Sequence, residues 1–301
     1  QPRFYFDFPK GFKLTFGTRF YHQEQDYKTL IKEVNYNGIA KINEWDIQTK
    51  LEQRWNSKIN SEYEFYTTNY QNYSFLNNPD NVLFEESYYN QWLFRPEIRT
   101  TFVMNENKLT TGIGLNFETL NRTYFAEKAM LKSQFVFFQY DYNPNYKWNI
   151  LAGLRYDNTN QYQSQFSPKL AVNFKINTRL SLKTSIGYGF KAPDFRQLYF
   201  DFLNSSVGYA VLGYNVAESE LNLLEGQGQL LYRIPGISFE NPLKPESSIN
   251  FNFGSYYQKE QLKIEMSANY SELIEANKPS EVLLVWGYPD YSDVRRYTDE
   301  D

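Results

Sequence analysis

An all-β chain, folded as an antiparallel transmembrane β-barrel, is what three observations in this sequence predict. Apolar residues recur with a period of two over many successive segments. Those segments run to about 11 residues or more, the length that a tilted strand needs to cross a bilayer. Their connections alternate between very short polar turns and long polar loops, the asymmetry of outer-membrane barrels. A soluble sandwich also alternates, but its strands usually run only about 5 to 6 residues.

The elements follow in order. Phe12, Leu14, Phe16, Thr18 and Phe20 share one face, opposed by Lys13, Thr15, Gly17, Arg19 and Tyr21. The pattern returns at Trp92 to Met104, where Arg95, Glu97 and Arg99 occupy the polar face, and at Leu109 to Phe117. It continues at Trp148 to Tyr156, Leu170 to Phe174, Leu180 to Phe190, Ile249 to Phe253 and Leu262 to Tyr270. Charged groups on the opposing face suit a water-filled lumen. Tight turns are predicted at Pro9-Lys10-Gly11, Asn56-Ser57, Asn105-Glu106-Asn107, Asn143-Pro144-Asn145, Ile176-Asn177-Thr178 and Lys259-Glu260, where Asn, Pro, Gly and Ser favour reversal. Long outer loops are predicted at about residues 23–43, 71–87, 122–132 and 191–245, with a shorter one at 159–163. Residues 1–275 thus read as a partial barrel of about 12 strands, and residues 276–301 as a tail that departs from its pattern. Phe8, Phe12, Trp55, Tyr146 and Trp148, beside the short turns, are placed for an interfacial aromatic belt.

Composition narrows the function. The 301 residues include 27 Tyr and 25 Phe, yet the mean hydropathy is −0.65, so the aromatics need a surface that accepts them. A net charge of −4 without a basic cluster argues against nucleic acid. The absence of Cys excludes thiolate metal sites and cysteine nucleophiles, and a single His leaves no His-pair metal centre. No run of 18 apolar residues marks a transmembrane helix. The sequence carries no nucleophile elbow, P-loop or dinucleotide fingerprint, so no enzyme, cofactor or resident metal is expected.

From Lys147 to Phe202 an ordered string of motifs appears: AGLRYD, then Ser167-Pro168-Lys169-Leu170, then Gly189-Phe190-Lys191-Ala192-Pro193 and a segment carrying Phe195, Leu198 and Tyr199. After a long loop, Leu243-Lys244-Pro245-Glu246 opens a further strand. In this order the motifs resemble the barrel of TonB-dependent outer-membrane receptors, over about residues 147 to 271. The resemblance implies a Gram-negative outer-membrane receptor, with about 12 of a probable 22 strands present, for active uptake of a scarce nutrient of the iron-siderophore, haem or cobalamin class. It further implies outer-membrane lipid around the barrel, a small metal-chelate or macrocyclic ligand, and an inner-membrane TonB complex that acts through a plug domain. No plug domain or export signal is visible, and Asp301 is not the aromatic ending of such barrels, so the expectation is a partial receptor.

The motif residues read as structural. Pro193 removes a ladder donor and Pro245 holds Lys244 extended, so both mark strand boundaries. Gly187 and Gly189 allow close approach on the lumen face. Binding residues concentrate on loops, and tyrosine offers a rigid ring with a polar tip, so Tyr88, Tyr89, Tyr199, Phe202, Tyr209 and Tyr214 are the candidate ligand contacts. A passive outer-membrane channel and a soluble β-rich glycan binder remain the alternatives.

Overall fold

Twelve strands pair antiparallel in one sheet: β1 (Arg3–Phe8), β2 (Phe12–Ile31), β3 (Val34–Arg54), β4 (Ile59–Asn77), β5 (Leu83–Met104), β6 (Asn107–Arg122), β7 (Ala129–Asn145), β8 (Trp148–Thr159), β9 (Gln165–Lys175), β10 (Leu180–Lys191), β13 (Glu246–Lys259) and β14 (Leu262–Glu275). They neighbour one another in chain order, and the segment between β10 and β13 holds helix α1 (Phe195–Tyr199), a separate hairpin of β11 (Asp201–Asn204) and β12 (Tyr209–Leu212), and helix α2 (Tyr214–Gly226). The structure, a computed structural model, describes residues 2–31, 33–125, 127–204, 209–228, 239 and 243–275. The tail at 276–301 lies outside them. Among the described residues, β1 and β14 each have one hydrogen-bonded neighbour.

Local chemistry fixes one end of the sheet. Asn56 Oδ1 accepts from the backbone N–H groups of Lys58 and Ile59 at 2.8 and 2.9 Å, and Asn177 Oδ1 does the same for Arg179 and Leu180. Such side-chain turns replace the lost ladder bonds and set the register of the strands they join. Gly11 adopts φ +77°, and a Cβ there would meet the Arg54 carbonyl oxygen at 3.0 Å. One turn differs from expectation. β7 runs on through Asn145, whose Oδ1 accepts from Lys147 N at 2.9 Å, so the reversal lies at Tyr146 and Lys147. Pro144, with no N–H, sits instead where the register shifts between Tyr142 and Asn145.

The opposite end also departs from the sequence reading. Residues 23–31 and 34–43 continue β2 and β3, and most of 71–87 belongs to β4 and β5, so these expected loops are projecting ladders. Their alternation fades because both faces meet water beyond the apolar zone, where nothing demands a two-residue period. Tyr27 clasps this extension: its hydroxyl lies 2.8 Å from Ser74 Oγ and its ring covers Gly38. The 122–132 connection shrinks to 123–128, since β7 starts at Ala129. The described residues of the expected 191–245 loop carry the α1, β11, β12 and α2 elements.

Register joins the alternating residues into two continuous faces. Ile98, Ile113, Val136, Tyr156 and Phe166 form one row across β5 to β9, and Leu170, Ile186, Phe251 and Tyr270 another across β9 to β14. Ile113 and Tyr270 are 56% and 63% exposed, so among the described residues no protein layer covers this apolar face. The other face carries ion pairs. Arg19 meets Asp46 at 2.8 Å and Glu44, Lys50 meets Glu52 at 2.7 Å, Arg99 meets Glu97 at 2.7 Å, and Arg155 grips both oxygens of Asp157 while lying 3.8 Å from the Phe135 ring centroid.

Candidate functional site

A cavity of about 450 Å³ opens on the polar face at the long-loop end. Its floor is the inner surface of β5, β6 and β7; its roof is the segment from Ala192 to Arg196. Strand alternation supplies the floor, because Asn116, Glu118, Leu120 and Arg122 follow at two-residue intervals along β6.

The roof is folded by its own sequence. Pro193 cannot extend the ladder of β10, and Asp194 then caps α1, accepting from Gln197 N at 2.8 Å while Gln197 Oε1 accepts from Asp194 N at 2.9 Å. This reciprocal cap turns Phe195, Leu198 and Tyr199 inward. They pack with Leu120, Phe125 and Ala129 into a buried cluster, joined at its edge by Tyr89, Leu131, Phe200 and Leu243. Leu198 and Ala129 are fully buried. Leu243 also bridges Tyr162, and Pro245 is fully buried. The two motif ends meet where Lys191 faces Glu246 in register, with Nζ 3.2 Å from Oε2. That pair is solvent-exposed on the lysine side and contributes little stability.

Polar groups line the floor. Tyr89 donates its hydroxyl to Gln91 Oε1 at 2.8 Å, and Asn116 donates to Ser133 Oγ at 3.2 Å. Arg122 lies among three rings, its guanidinium carbon 5.7 Å from the centroids of Tyr89 and Phe125 and 5.4 Å from that of Phe200. Arg196 flanks Phe200 from the roof at 5.3 Å. Arg122 Nε donates to the Thr123 carbonyl oxygen at 3.2 Å, which leaves its terminal N–H groups for planar oxygen acceptors.

Of the six aromatic candidates, Tyr89 lines this cavity. Tyr88 points to the opposite face, donating to Asn121 Oδ1 at 3.2 Å. Tyr199 is buried in the cluster. Phe202 stacks beside Phe200 and stands edge-on to Tyr124, while Tyr214 opens α2 against Phe239. Tyr209 contributes its backbone to β12. Among the motif residues, Ser167 and Lys169 lie on the polar face and Pro168, Leu170 and Phe190 on the apolar face. Gly189 and Lys191 end β10, and Lys244 precedes the first residue of β13. Sequence reading missed Gln91, Glu118, Arg122, Tyr162 and Arg196. The even spacing from Asn116 to Arg122 was the available signal.

Two carboxyls lie in the segment beyond the roof. Burial raises the Asp201 carboxyl above its ordinary range, and Glu220 is raised by burial and then by the nearby charge of Asp201. A raised carboxyl pKa means that ionisation is penalised in the folded segment. The segment is therefore steadiest below the ordinary carboxylate pKa and loosens as pH rises through the raised values. We expect Asp201→Asn to slow proteolysis of the 195–226 segment at neutral pH and to flatten its dependence on pH between mildly acidic and neutral conditions. Equal cleavage rates for both proteins at neutral pH would contradict the assignment.

A family model described as TonB-dependent receptor-like, beta-barrel matches residues 2–273. Over 112 residues the chain is 30% identical to the probable TonB-dependent siderophore receptor PirA of Acinetobacter baumannii, a match covering 37% of this chain and 13% of that protein. Among solved structures, a variant of the ferric enterobactin receptor PfeA of Pseudomonas aeruginosa superposes with a TM-score of 0.63 at 13% identity, covering 89% of this chain and 41% of that one. The outer membrane transporter YddB of Escherichia coli gives 0.62 at 9% identity, covering 90% and 39%. The chain thus spans about two fifths of these solved structures, whose likeness establishes the fold. The relatives are receptors and transporters rather than enzymes. With its strand order, its two faces and a family match over nearly its whole length, the chain belongs to the TonB-dependent receptor β-barrel family.

Proposed function

We propose that these strands are part of the wall of a Gram-negative outer-membrane receptor that takes up an iron–siderophore complex. The polar face is then the lumen, the apolar face meets lipid, and the long-loop end faces outward. The inner-membrane TonB complex drives transport through a plug domain. The cavity beneath α1 carries the reading: it sits at the outward mouth and gathers the Arg122 and Arg196 guanidinium groups. Oxygen-rich ferric chelates present the acceptors that such donors bind. The naming of PirA as a siderophore receptor and of PfeA as a ferric enterobactin receptor supports this class. Phe202, Tyr209 and Tyr214 act in the surrounding outer segment, and Tyr88 acts from β5 at its rim.

In the intact receptor, Arg122→Ala is expected to weaken ferric-siderophore binding by about 10- to 100-fold, as loss of a charge-assisted contact worth about 1.5 to 3 kcal/mol requires. Equilibrium binding and radioactive-iron uptake would measure it. Unchanged binding, together with steady ion conductance in a planar bilayer, would favour a passive channel instead.

A further inference from the structure

Pairing between β5 and β6 lapses at one place. The ladder runs through Phe94 opposite Phe117 and resumes at Glu97 opposite Gly114, leaving Arg95 and Pro96 outside it. Proline has no N–H to give to the ladder, which accounts for the lapse at this position. On the apolar face the lapse opens a groove of about 650 Å³, walled by Pro96, Ile98, Ile113, Leu115, Val136 and Tyr156. The chemistry changes along its length. Toward the long-loop end the groove reaches Gln134, whose Nε2 donates to Asn158 Oδ1 at 3.3 Å, and Asn158 donates to Ser164 Oγ at 2.8 Å. Two residues further along β7 stands Lys132, exposed, with its ammonium 5.7 Å from the Phe117 centroid.

Hydrocarbon, then amides and a hydroxyl, then a cation: this order matches an acyl chain, its carbonyl linkage and an anionic head. We infer that the groove is a binding site for one outer-leaflet lipid, a phosphorylated glycolipid that carries amide-linked acyl chains. The chain lies against Pro96, the amide link meets Gln134 and Asn158, and a phosphate meets Lys132. A side-chain amide pair can both donate to and accept from an amide link, whereas an ester link offers acceptors alone. This chemistry favours the glycolipid over a phospholipid. The inference rests on the membrane-barrel part of the proposed function and is independent of the lumen cavity.

The test uses the intact receptor carrying these strands, extracted from outer membranes in mild detergent. Hexa-acylated lipid A and phosphatidylglycerol serve as probes, and native mass spectrometry counts retained lipid. Wild type should hold about one lipid A per receptor and little phosphatidylglycerol. Leu115→Trp, which fills the groove, should lower lipid A retention at least fivefold, and Lys132→Gln should lower it by a smaller factor. Val136→Phe fills the groove more gently and replaces Leu115→Trp if that variant does not fold. Retention by a folded groove-filled variant equal to that of wild type, or equal retention of the two lipids, overturns the inference. Failure of the receptor to fractionate with the outer membrane would overturn the barrel reading itself, a separate and distinguishable result.

Discussion

Leu198→Asp is expected to detach α1 from the wall of the sheet. Leu198 is fully buried among Leu120, Phe125, Ala129, Phe195 and Tyr199, so a carboxylate there is stripped of water inside an apolar cluster. Truncating such a leucine typically costs about 2 to 5 kcal/mol, and an unpaired buried carboxylate adds several more. That exceeds what a five-residue helix with one capping box can offset. The loss stays local, since the ladders of β5, β6 and β7 are made by backbone bonds that α1 does not share. Hydrogen exchange should therefore accelerate at Leu198 and Phe200, whose N–H groups bond Asp194 O and Arg196 O, while β6 keeps its protection. Ligand affinity should fall with the roof. Leu198→Met, close in volume, should behave as wild type. Unaltered protection across 195–200 in the aspartate variant would show that the cluster does not hold the roof.

The second large effect lies on the other face. Ile186 stands in the row of Leu170, Phe251 and Tyr270, with 48% of its surface exposed and, among the described residues, no protein over it. If lipid covers that face, Ile186→Arg in the intact receptor places a charge well inside the hydrocarbon, at a cost of about 2 to 4 kcal/mol near the midplane. Ser185→Arg, one residue earlier and on the opposite face, should cost little, because its neighbourhood is that of Asn252 and Lys183. Urea unfolding from liposomes compares the two directly. Equal tolerance of both substitutions would remove lipid from the apolar face and return the soluble β-rich alternative.

Much of the architecture was legible because a bilayer imposes a two-residue period that soluble proteins need not keep. Phe12 to Phe20 and Leu180 to Phe190 announce both their strand state and the side of the sheet they face. The turns were legible for a different reason, since Asn56 and Asn177 act on their immediate neighbours and need no tertiary context. The signal failed where lipid stops acting. Residues 23–31 keep extended geometry through cross-strand pairing with β3, a partner that composition does not reveal. The cavity failed similarly. Tyrosine abundance pointed to rings dispersed over several surfaces, while Glu118, Arg122 and Arg196 converge through a helical cap and a strand separated by some seventy residues. Ordinary-looking charges become a site only once Asp194 folds the roof above them.

The two outer strands of the sheet impose a condition on its assembly. About half the residues of Leu262–Glu275 turn their N–H and C=O groups away from β13, and β1 does the same on the far side of β2. In water those groups are hydrated at no penalty; in hydrocarbon each costs several kcal/mol. A completed twelve-strand sheet therefore cannot pass from water into the bilayer as a finished object. Among the described residues these two rims are open, so any passage into a bilayer has to pair them as it happens, which makes sealing and insertion one event.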